Sequence, residues 1–144
     1  MNPDFAALLN AFAKAQVRFL VVGAYALAFY GHPRATGDLD LWIEPELENA
    51  HRVMQALIKF GAPLKNLSAA DFASPGSVFQ IGIAPIRIDL LTELTGIHFA
   101  EAWNRRNMHK LDGMEVPLIS REDLIKNKKL LGRMKDLADL EALD

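Results

Sequence analysis

The 144-residue sequence predicts an α+β fold, in which helices flank a mixed and mostly antiparallel sheet. Two observations support this: segments with apolar residues at helical spacing alternate along the chain with short, β-branched apolar runs. The resulting order of elements is αβαβαββαβαα, which places helices against a mixed sheet. The length allows one domain with a proper core, residues 1–144, and is too short for two comfortable ones.

The composition narrows the class of protein. Hydrophobic residues make up 51% of the chain and charged residues 24%, which indicates a globular domain rather than a disordered one. The formal net charge of -2 means that any nucleic-acid contact would depend on a local basic patch. The absence of cysteine excludes disulfides and cysteine-ligated metals. Without a signal-like or membrane-length apolar run, we expect a cytoplasmic protein that makes no membrane contact.

The first half of the chain predicts three helices and two strands. Asn2 can cap the first helix, with Pro3 at its first position. Gly23 separates the first strand from the second helix, and Gly61 stands where a helix C-cap glycine belongs. The predicted boundaries are a helix from residue 3, a strand over 17–22, a helix over 24–30, a strand over 38–43 and a helix that includes 50–57.

The second half begins with residues 62–76, whose Pro, Asn, Ser, Asp and Gly predict the longest irregular connection. Two apolar runs joined at Ala84-Pro85 then predict a hairpin. The sequence from Ser120 to Asp123 resembles a capping box that opens a helix, and Gly132 interrupts that helix. The predicted boundaries are strands over 77–83 and 86–91, a helix over 99–105, a strand over 116–119, and helices over 121–131 and 135–143.

Three aspartates stand inside predicted strands, where this residue is uncommon. Asp38 and Asp40 are two residues apart and therefore point to the same face of their strand. Asp89 is the third, and Arg87 shares its face and would neutralise and orient it. Because a divalent cation relieves the repulsion between neighbouring carboxylates, the pattern predicts a Mg²⁺ site. The alternative is an acidic strand face in solvent, with Arg87 in an ordinary cross-strand ion pair.

Several other residues could bind phosphate. Gly23 and Ala24 lie at a strand-to-helix junction with free backbone N–H groups, although a plain turn explains them too. Arg34 and Thr36 keep even spacing with the first aspartates, so an extended backbone would align them for a triphosphate; a surface ion pair and a turn threonine are the alternative. Lys128 falls within the apolar stripe of its helix and needs an anionic partner, for which a phosphate is the functional interpretation.

Two charged groups near the C-terminus favour structural interpretations. A basic cluster could meet a polynucleotide or a protein, but a solvated helix end is the favoured account; it comprises Arg105, Arg106, His109 and Lys110. Asp136 and Asp139 follow the glycine break, where ion pairs between helices explain them.

The chain resembles the polymerase-β-like nucleotidyltransferase superfamily in three segments, which occur in the order VGAYALAFYGHPRATGDLDLWIEP, IRIDLLTELTGIHF and LIKNKKLLGRMKDLADLEAL. The residues of these segments are similar to those of a small bacterial branch that includes nucleotidyltransferase-like abortive-infection toxins of the AbiEii type. The likeness covers roughly residues 15–143. It implies the mixed sheet with flanking helices that the pattern predicts.

The resemblance also implies roles for particular residues. Gly23 and Ala24 would form the triphosphate-binding turn, although the superfamily usually has glycine or serine at the second position. Asp38 and Asp40 would bind two catalytic Mg²⁺ ions, while Asp89 would bind one of them and act as, or assist, the base. The lysine of the family's C-terminal segment corresponds to Lys128.

The implied activity is transfer of a nucleoside monophosphate from an NTP such as ATP to a hydroxyl, with release of pyrophosphate. The acceptor stays open among tRNA, a protein side chain and a small alcohol such as an aminoglycoside. A cognate partner protein, as in a toxin–antitoxin pair, is a further expectation. The alternative is a catalytically weak or inactive domain that binds nucleotide or a partner.

Overall fold

The structure is a computed structural model that describes residues 1–31, 37–83 and 86–143, without the side chain of Ile83. The helices in these ranges are α1 (Pro3–Lys14), α2 (Gly23–Phe29), α3 (Leu47–Phe60), α4 (Ala69–Ala73), α5 (Phe99–Asn104), α6 (Arg121–Leu131) and α7 (Met134–Leu143). The strands are β1 (Phe19–Val22), β2 (Asp38–Ile43), β3 (Val78–Ile83), β4 (Ile86–Leu91), β5 (Asn107–Leu111) and β6 (Met114–Leu118).

The strands form one mixed sheet in the order β3-β4-β2-β1-β6-β5. The pairs β1–β2, β3–β4 and β5–β6 are antiparallel, whereas β1–β6 and β2–β4 are parallel. This arrangement confirms the α+β class and the mostly antiparallel sheet. None of the described helices is long and apolar enough to cross a membrane.

The core forms where the apolar side of β2 meets the helices. Leu39, Leu41 and Ile43 alternate with the two aspartates of this strand, and all three are fully buried. They belong to the same core cluster as the apolar stripe of α1, which consists of Phe5, Leu8, Leu9 and Phe12. Burial of each such side chain contributes about 1.5–3 kcal/mol, so this packing fixes β2 and with it the opposite, acidic face.

A buried asparagine ties α3 to the strands beneath it. The Asn49 side chain accepts a hydrogen bond from the backbone N–H of Arg18 at 2.8 Å. Its amide donates to the carbonyl oxygens of Arg18 and Glu44, each at 3.0 Å. Because a buried amide is costly unless it is bonded, these contacts hold α3 in one position against the segments that flank β1 and β2.

Most predicted elements are present with small shifts at their ends. The strand over 38–43 has the predicted bounds, and β3 and β4 pair antiparallel as the hairpin requires. Gly61 and Gly132 end α3 and α6 in the left-handed conformation. Asn2 caps α1 by accepting from the backbone N–H of Asp4. The hairpin turn at residues 84–85 lies outside the described ranges.

Two elements were not predicted. The five-residue helix α4 lies in the connection that was expected to be irregular, where Ser68 and Asp71 form a capping box and Phe72 is buried. Strand β5 was missed because it lies at the sheet edge with mostly exposed side chains, so its sequence lacks apolar alternation. Asp112 and Gly113 both have positive φ, the conformation of a tight hairpin turn, and they join β5 to β6.

Candidate catalytic site

A cleft of ≈ 530 Å³ lies between the sheet and the two C-terminal helices. Its walls come from the β1–α2 junction, from β2, from the segment after β4, and from α6 and α7. The predicted site residues that line it are Gly23, Ala24, Asp38, Asp40 and Lys128. Asp89 lies beside them on β4, while the predicted Arg34 and Thr36 fall outside the described residues.

The sheet register brings the three aspartates together. Asp40 of β2 is paired with Asp89 of β4 on one side and with Val22 of β1 on the other. Two residues before Asp40 on the same strand, Asp38 is paired with Arg87 of β4. Because alternate residues of a strand share a face, all four polar side chains occupy the same surface of the β2–β4 pair.

Arg87 holds two of the carboxylates. Its Nε donates to Oδ1 of Asp89 at 2.8 Å, and its Nη2 lies 3.2 Å from Oδ2 of the same residue. The same Nη2 donates to Oδ2 of Asp38 at 3.2 Å. The sequence predicted the first of these pairs, but the second joins residues 49 positions apart and depends on the parallel register. Arg87 therefore orients Asp89 and links it to Asp38.

Asp40 is the carboxylate that is hardest to ionise. Burial is the largest cause, and the negative charges of Asp89 and Asp38 add to it; together they raise the pKa of Asp40 to about 6. A hydrogen bond with Asp89 acts in the same direction, while the positive charge of Lys135 lowers the pKa. The site thus contains a carboxyl group that a nearby cation would help to ionise.

Gly23 is what allows Asp40 to sit against the β1–α2 junction. A Cβ atom placed on Gly23 would lie 2.1 Å from Oδ2 of Asp40, and the backbone φ of +69° also disfavours a side chain. The sequence marked Gly23 as part of a phosphate-binding turn. The structure gives it a further role, because its missing side chain makes room for the central carboxylate.

Carboxylate oxygens are the donors that Mg²⁺ prefers, so the chemistry of these residues fits that ion. However, no group of three or more His, Cys, Asp or Glu side chains in the described ranges is assembled as a metal site. The Arg87 guanidinium lies between Asp38 and Asp89 and takes up part of their bonding capacity. The donor set is therefore suitable in its chemistry, but the side chains would have to rearrange to share an ion.

Lys128 is buried, as its place in the apolar stripe predicted, but its ammonium faces other protein groups. It donates to Oδ2 of Asp139 at 2.7 Å and lies 3.9 Å from Oδ1 of Asp136. Arg133 in turn binds Asp136 through its Nε at 2.6 Å. The interpretation of the two aspartates as partners in ion pairs is confirmed, and these contacts lock α7 onto α6.

Two residues of the cleft were missed by the sequence reasoning. Lys135 is exposed at the cleft and close enough to act on the ionisation of Asp40. Asn127 is buried, and its amide donates to the carbonyl oxygen of Thr95 at 3.1 Å, which ties α6 to the segment after β4. A polar residue one position before an inward lysine was the available signal for Asn127. Lys135 belongs to the C-terminal segment that resembles the family, but the sequence favoured an ion pair between helices for that group of charges.

The predicted basic cluster is divided between two elements. Arg105 follows α5 and makes a bidentate ion pair with Asp123, in which both hydrogen bonds are 3.0 Å long. Arg106 lies over the ring of Trp103 at 3.9 Å. His109 belongs to β5, so the interpretation of all four residues as one helix end was wrong. The two arginines each have a partner within the protein.

Neither a family model nor a curated protein matches this sequence. Solved structures do match it, at low sequence identity. A Thermotoga maritima protein provisionally described as a nucleotidyltransferase has a TM-score of 0.63 at 15% identity, over 95% of this chain and 88% of that one.

Two antibiotic-modifying proteins match as well. The lincosamide antibiotic adenylyltransferase LnuA, solved with lincomycin, gives a TM-score of 0.60 at 15% identity, over 99% of this chain and 96% of that chain. ANT(2″)-Ia, solved with adenylyl-2″-tobramycin, gives 0.61 at 14% identity, over 96% of this chain and 84% of that chain. The fold is therefore a nucleotidyltransferase fold, as the resemblance implied.

Proposed function

We propose that this protein transfers a nucleoside monophosphate from an NTP to a hydroxyl group and releases pyrophosphate. The observation that carries the proposal is the juxtaposition of Asp38, Asp40 and Asp89 on one face of β2 and β4, beside a cleft. On a nucleotidyltransferase fold, such a set suits phosphoryl-type chemistry, in which the protein mainly positions groups and balances charge.

In the proposed reaction, the oxygen of the acceptor hydroxyl forms a bond to the α-phosphorus while the bond to the bridging oxygen of pyrophosphate breaks. The hydroxyl proton goes to a carboxylate, for which Asp89 is our candidate because Arg87 fixes its orientation. Asp38, Asp40 and Asp89 would hold Mg²⁺, two ions in our proposal, and this metal would offset the charge of the phosphates. The raised pKa of Asp40 supports a bound cation here, since the carboxyl group ionises reluctantly without one.

The cations of the cleft differ in their availability for phosphate. The ammonium of Lys128 is bonded to Asp139, so this residue would need to exchange partners to reach a substrate. Lys135 is exposed and acts electrostatically on Asp40. We therefore add Lys135 to the proposed triphosphate-binding residues, which are Gly23, Ala24, Arg34, Thr36 and Lys128.

A small alcohol is the acceptor that we favour. The two named structural neighbours were solved with lincomycin and with adenylyl-tobramycin, which supports a small molecule over tRNA or a protein. The ion pair between Arg105 and Asp123 argues in the same direction, because it offsets one of the charges that a polynucleotide would need. Membership of the abortive-infection branch, a cognate partner protein and a cytoplasmic location remain predictions.

The test is incubation of the protein with labelled NTPs, Mg²⁺ and cell lysate, followed by identification of what becomes labelled. We expect Asp38→Ala and Asp89→Ala to abolish labelling while thermal unfolding stays cooperative. Glu115→Ala, which removes an exposed carboxylate from β6, serves as the matched control and should label normally. Normal labelling by both aspartate variants would refute the proposal, and nucleotide binding without labelling by the wild type would favour a binding domain.

A further inference from the structure

A second cavity, of ≈ 550 Å³, adjoins the catalytic cleft. The two share the segment over residues 93–95, which forms a wall of each. We call this cavity the Trp42 pocket. Its apolar lining consists of Trp42, Pro45, Pro75, Leu94, Ile97 and Phe99. This volume and lining are within the range of small-molecule sites in proteins.

The Trp42 pocket lies next to the candidate catalytic carboxylates along the same two strands, β2 and β4. Trp42 is two residues beyond Asp40 on β2, so it lies on the same face of the sheet at a spacing of about 7 Å along the strand. It is in register with Leu91 of β4, just as Asp40 is with Asp89. A molecule seated in the pocket would therefore lie along the same pair of strands as the proposed reaction centre.

One of the residues that line this pocket carries a buried polar group without a hydrogen-bond partner. Trp42 is 1% exposed, and its Nε1–H makes no hydrogen bond within the described part of the protein. Such an unsatisfied donor costs roughly 1–3 kcal/mol, so a shift of the indole that lets an oxygen or nitrogen acceptor reach it would be favourable. Thr92 offers no comparable group, because its hydroxyl accepts from the backbone N–H of Ser77 at 2.8 Å and donates to its carbonyl oxygen.

The charges of the pocket select a neutral ligand. Among the described lining residues there is one carboxylate, Glu93, one histidine, His98, and no lysine or arginine. Glu93 and His98 are both exposed, which places them at the rim. A polyphosphate would meet no cation here, and a polycation would meet a single carboxylate, so neither is well accommodated.

The position of the pocket in the sheet order separates it from the proposed triphosphate site. Gly23 and Ala24 follow β1, on one side of β2. Asp89 and the segment after it belong to β4, on the other side of β2, and Pro75 precedes β3 at the sheet edge. The pocket thus lies on the side of the carboxylate that we assign to the acceptor.

We propose that the Trp42 pocket holds the apolar body of the acceptor, a neutral cyclic alcohol with an oxygen that accepts a hydrogen bond from Trp42 Nε1. The reacting hydroxyl extends along the strands toward Asp40 and Asp89. The acceptor role rests on the proposed nucleotidyl transfer, whereas binding of such a molecule to the pocket does not.

Binding is tested by NMR of the indole N–H signals in protein with isotopically labelled tryptophan. The chain has 2 tryptophans, so Trp103 provides an internal control. The probes are cyclohexanol, phenyl glucoside, adenosine and tobramycin. We expect the first two to shift the Trp42 signal more than the Trp103 signal, because Trp103 stacks on the lining residue Phe99 but does not line the pocket itself. No shift by either neutral alcohol, or a shift by adenosine or tobramycin alone, would overturn the assignment of the ligand.

Two variants separate the pocket from the reaction. Trp42→Phe removes the N–H and keeps an aromatic ring, so phenyl glucoside should bind about fivefold more weakly, with Trp103→Phe as the matched control. Pro75→Phe, at an exposed lining position, should narrow the pocket and reduce labelling of the lysate acceptor at least tenfold, with unchanged ATP affinity.

Undiminished labelling by Pro75→Phe would overturn the acceptor role even if the probes bind. Failure of the wild type to label anything would instead remove the proposed transferase function, and the acceptor role with it. In that case the NMR result would still decide whether the pocket binds neutral alcohols.

Discussion

Asp40 and Asp136 line the same cleft, yet their surroundings affect ionisation in opposite directions. Asp136 is fully buried, and its hydrogen bonds from the Arg133 side chain hold the pKa of its carboxyl below the usual range. Asp40 is less buried, but burial together with the neighbouring Asp89 and Asp38 raises its pKa to about 6. The local partners, rather than burial alone, therefore decide whether the pKa of each carboxyl group is raised or lowered.

The comparison distinguishes a structural cluster from a candidate functional one. In the α6–α7 cluster, Lys128 and Arg133 balance Asp139 and Asp136 through ion pairs between opposite charges. On β2 and β4, Arg87 pairs with Asp38 and Asp89, but Asp40 lies beside both of these carboxylates, and its pKa is raised by burial and by their charges. Perturbed groups of the second kind are typical of functional sites.

Removing one partner from the α6–α7 cluster should have the largest effect on stability. Asp139→Ala leaves the ammonium of Lys128 buried without its 2.7 Å partner. Breaking a buried pair in this way costs about 3–5 kcal/mol. We expect a loss of that size in the free energy of unfolding, measured by urea denaturation.

The double variant Lys128→Met/Asp139→Leu sharpens the comparison, because it replaces the pair by apolar side chains of similar size. We expect it to recover most of the lost stability. If Lys128 is only structural, labelling with NTPs should recover too. If it exchanges Asp139 for a phosphate, the double variant should be stable and inactive. A double variant as unstable as Asp139→Ala would contradict the view of this cluster as a balanced pair.

The difference between the two clusters also shows how far sequence reasoning could go. The fold class followed from periodicity, and β2 was predicted to the residue because its acidic and apolar positions alternate. Strand β5 could not be found this way, since its pairing with β6 depends on a hairpin turn rather than on an apolar face. Helix α4, at five residues, is too short for periodicity to reveal.

For the site, local spacing placed Asp38 and Asp40 on one face and turned Lys128 inward. What it could not supply were contacts set by the packing of distant segments. The bond from Arg87 to Asp38 requires the parallel pairing of β2 with β4. The pairing of Lys128 with Asp139 requires α7 to fold back on α6. The metal and phosphate roles of these residues remain predictions from the residue pattern.

Gly23→Ala should disturb the acidic cluster on β2 and β4 and leave the α6–α7 cluster intact. Its Cβ would overlap Oδ2 of Asp40, a side-chain atom that can move away, so the fold should survive with a loss of about 1–2 kcal/mol from the positive φ. Displacement of Asp40 by about 1 Å should reduce labelling roughly 100-fold.

Gly113→Ala is the matched control, because Gly113 also has a positive φ of +80° but has no atom within 4 Å of an added Cβ. It should lose similar stability and keep its activity. Equal activity in the two variants would mean that the position of Asp40 does not matter for the reaction.

Asp40→Asn should change stability in the opposite direction to Asp139→Ala. Because the folded pKa of about 6 exceeds the unfolded value of 3.8, the folded state binds the proton more tightly, and wild-type stability falls as the pH rises between these values. Asparagine mimics the protonated group. The variant should therefore be more stable than the wild type by about 1–3 kcal/mol at pH ~8, and much less so at pH ~4. Urea denaturation at both pH values measures the difference.

Mg²⁺ should reverse the order of stability of the wild type and Asp40→Asn. A cation that binds the ionised cluster stabilises the folded wild type in proportion to its saturation, and Asp40→Asn should respond less because one oxygen donor has lost its charge. We expect millimolar Mg²⁺ at pH ~8 to raise the unfolding temperature of the wild type by several degrees, while Asp139→Asn, altered in the balanced cluster, gains as much as the wild type. If Mg²⁺ raised the unfolding temperature of Asp40→Asn as much as that of the wild type, the ion would bind elsewhere. The acidic cluster would then differ from the α6–α7 cluster in charge but not in metal binding.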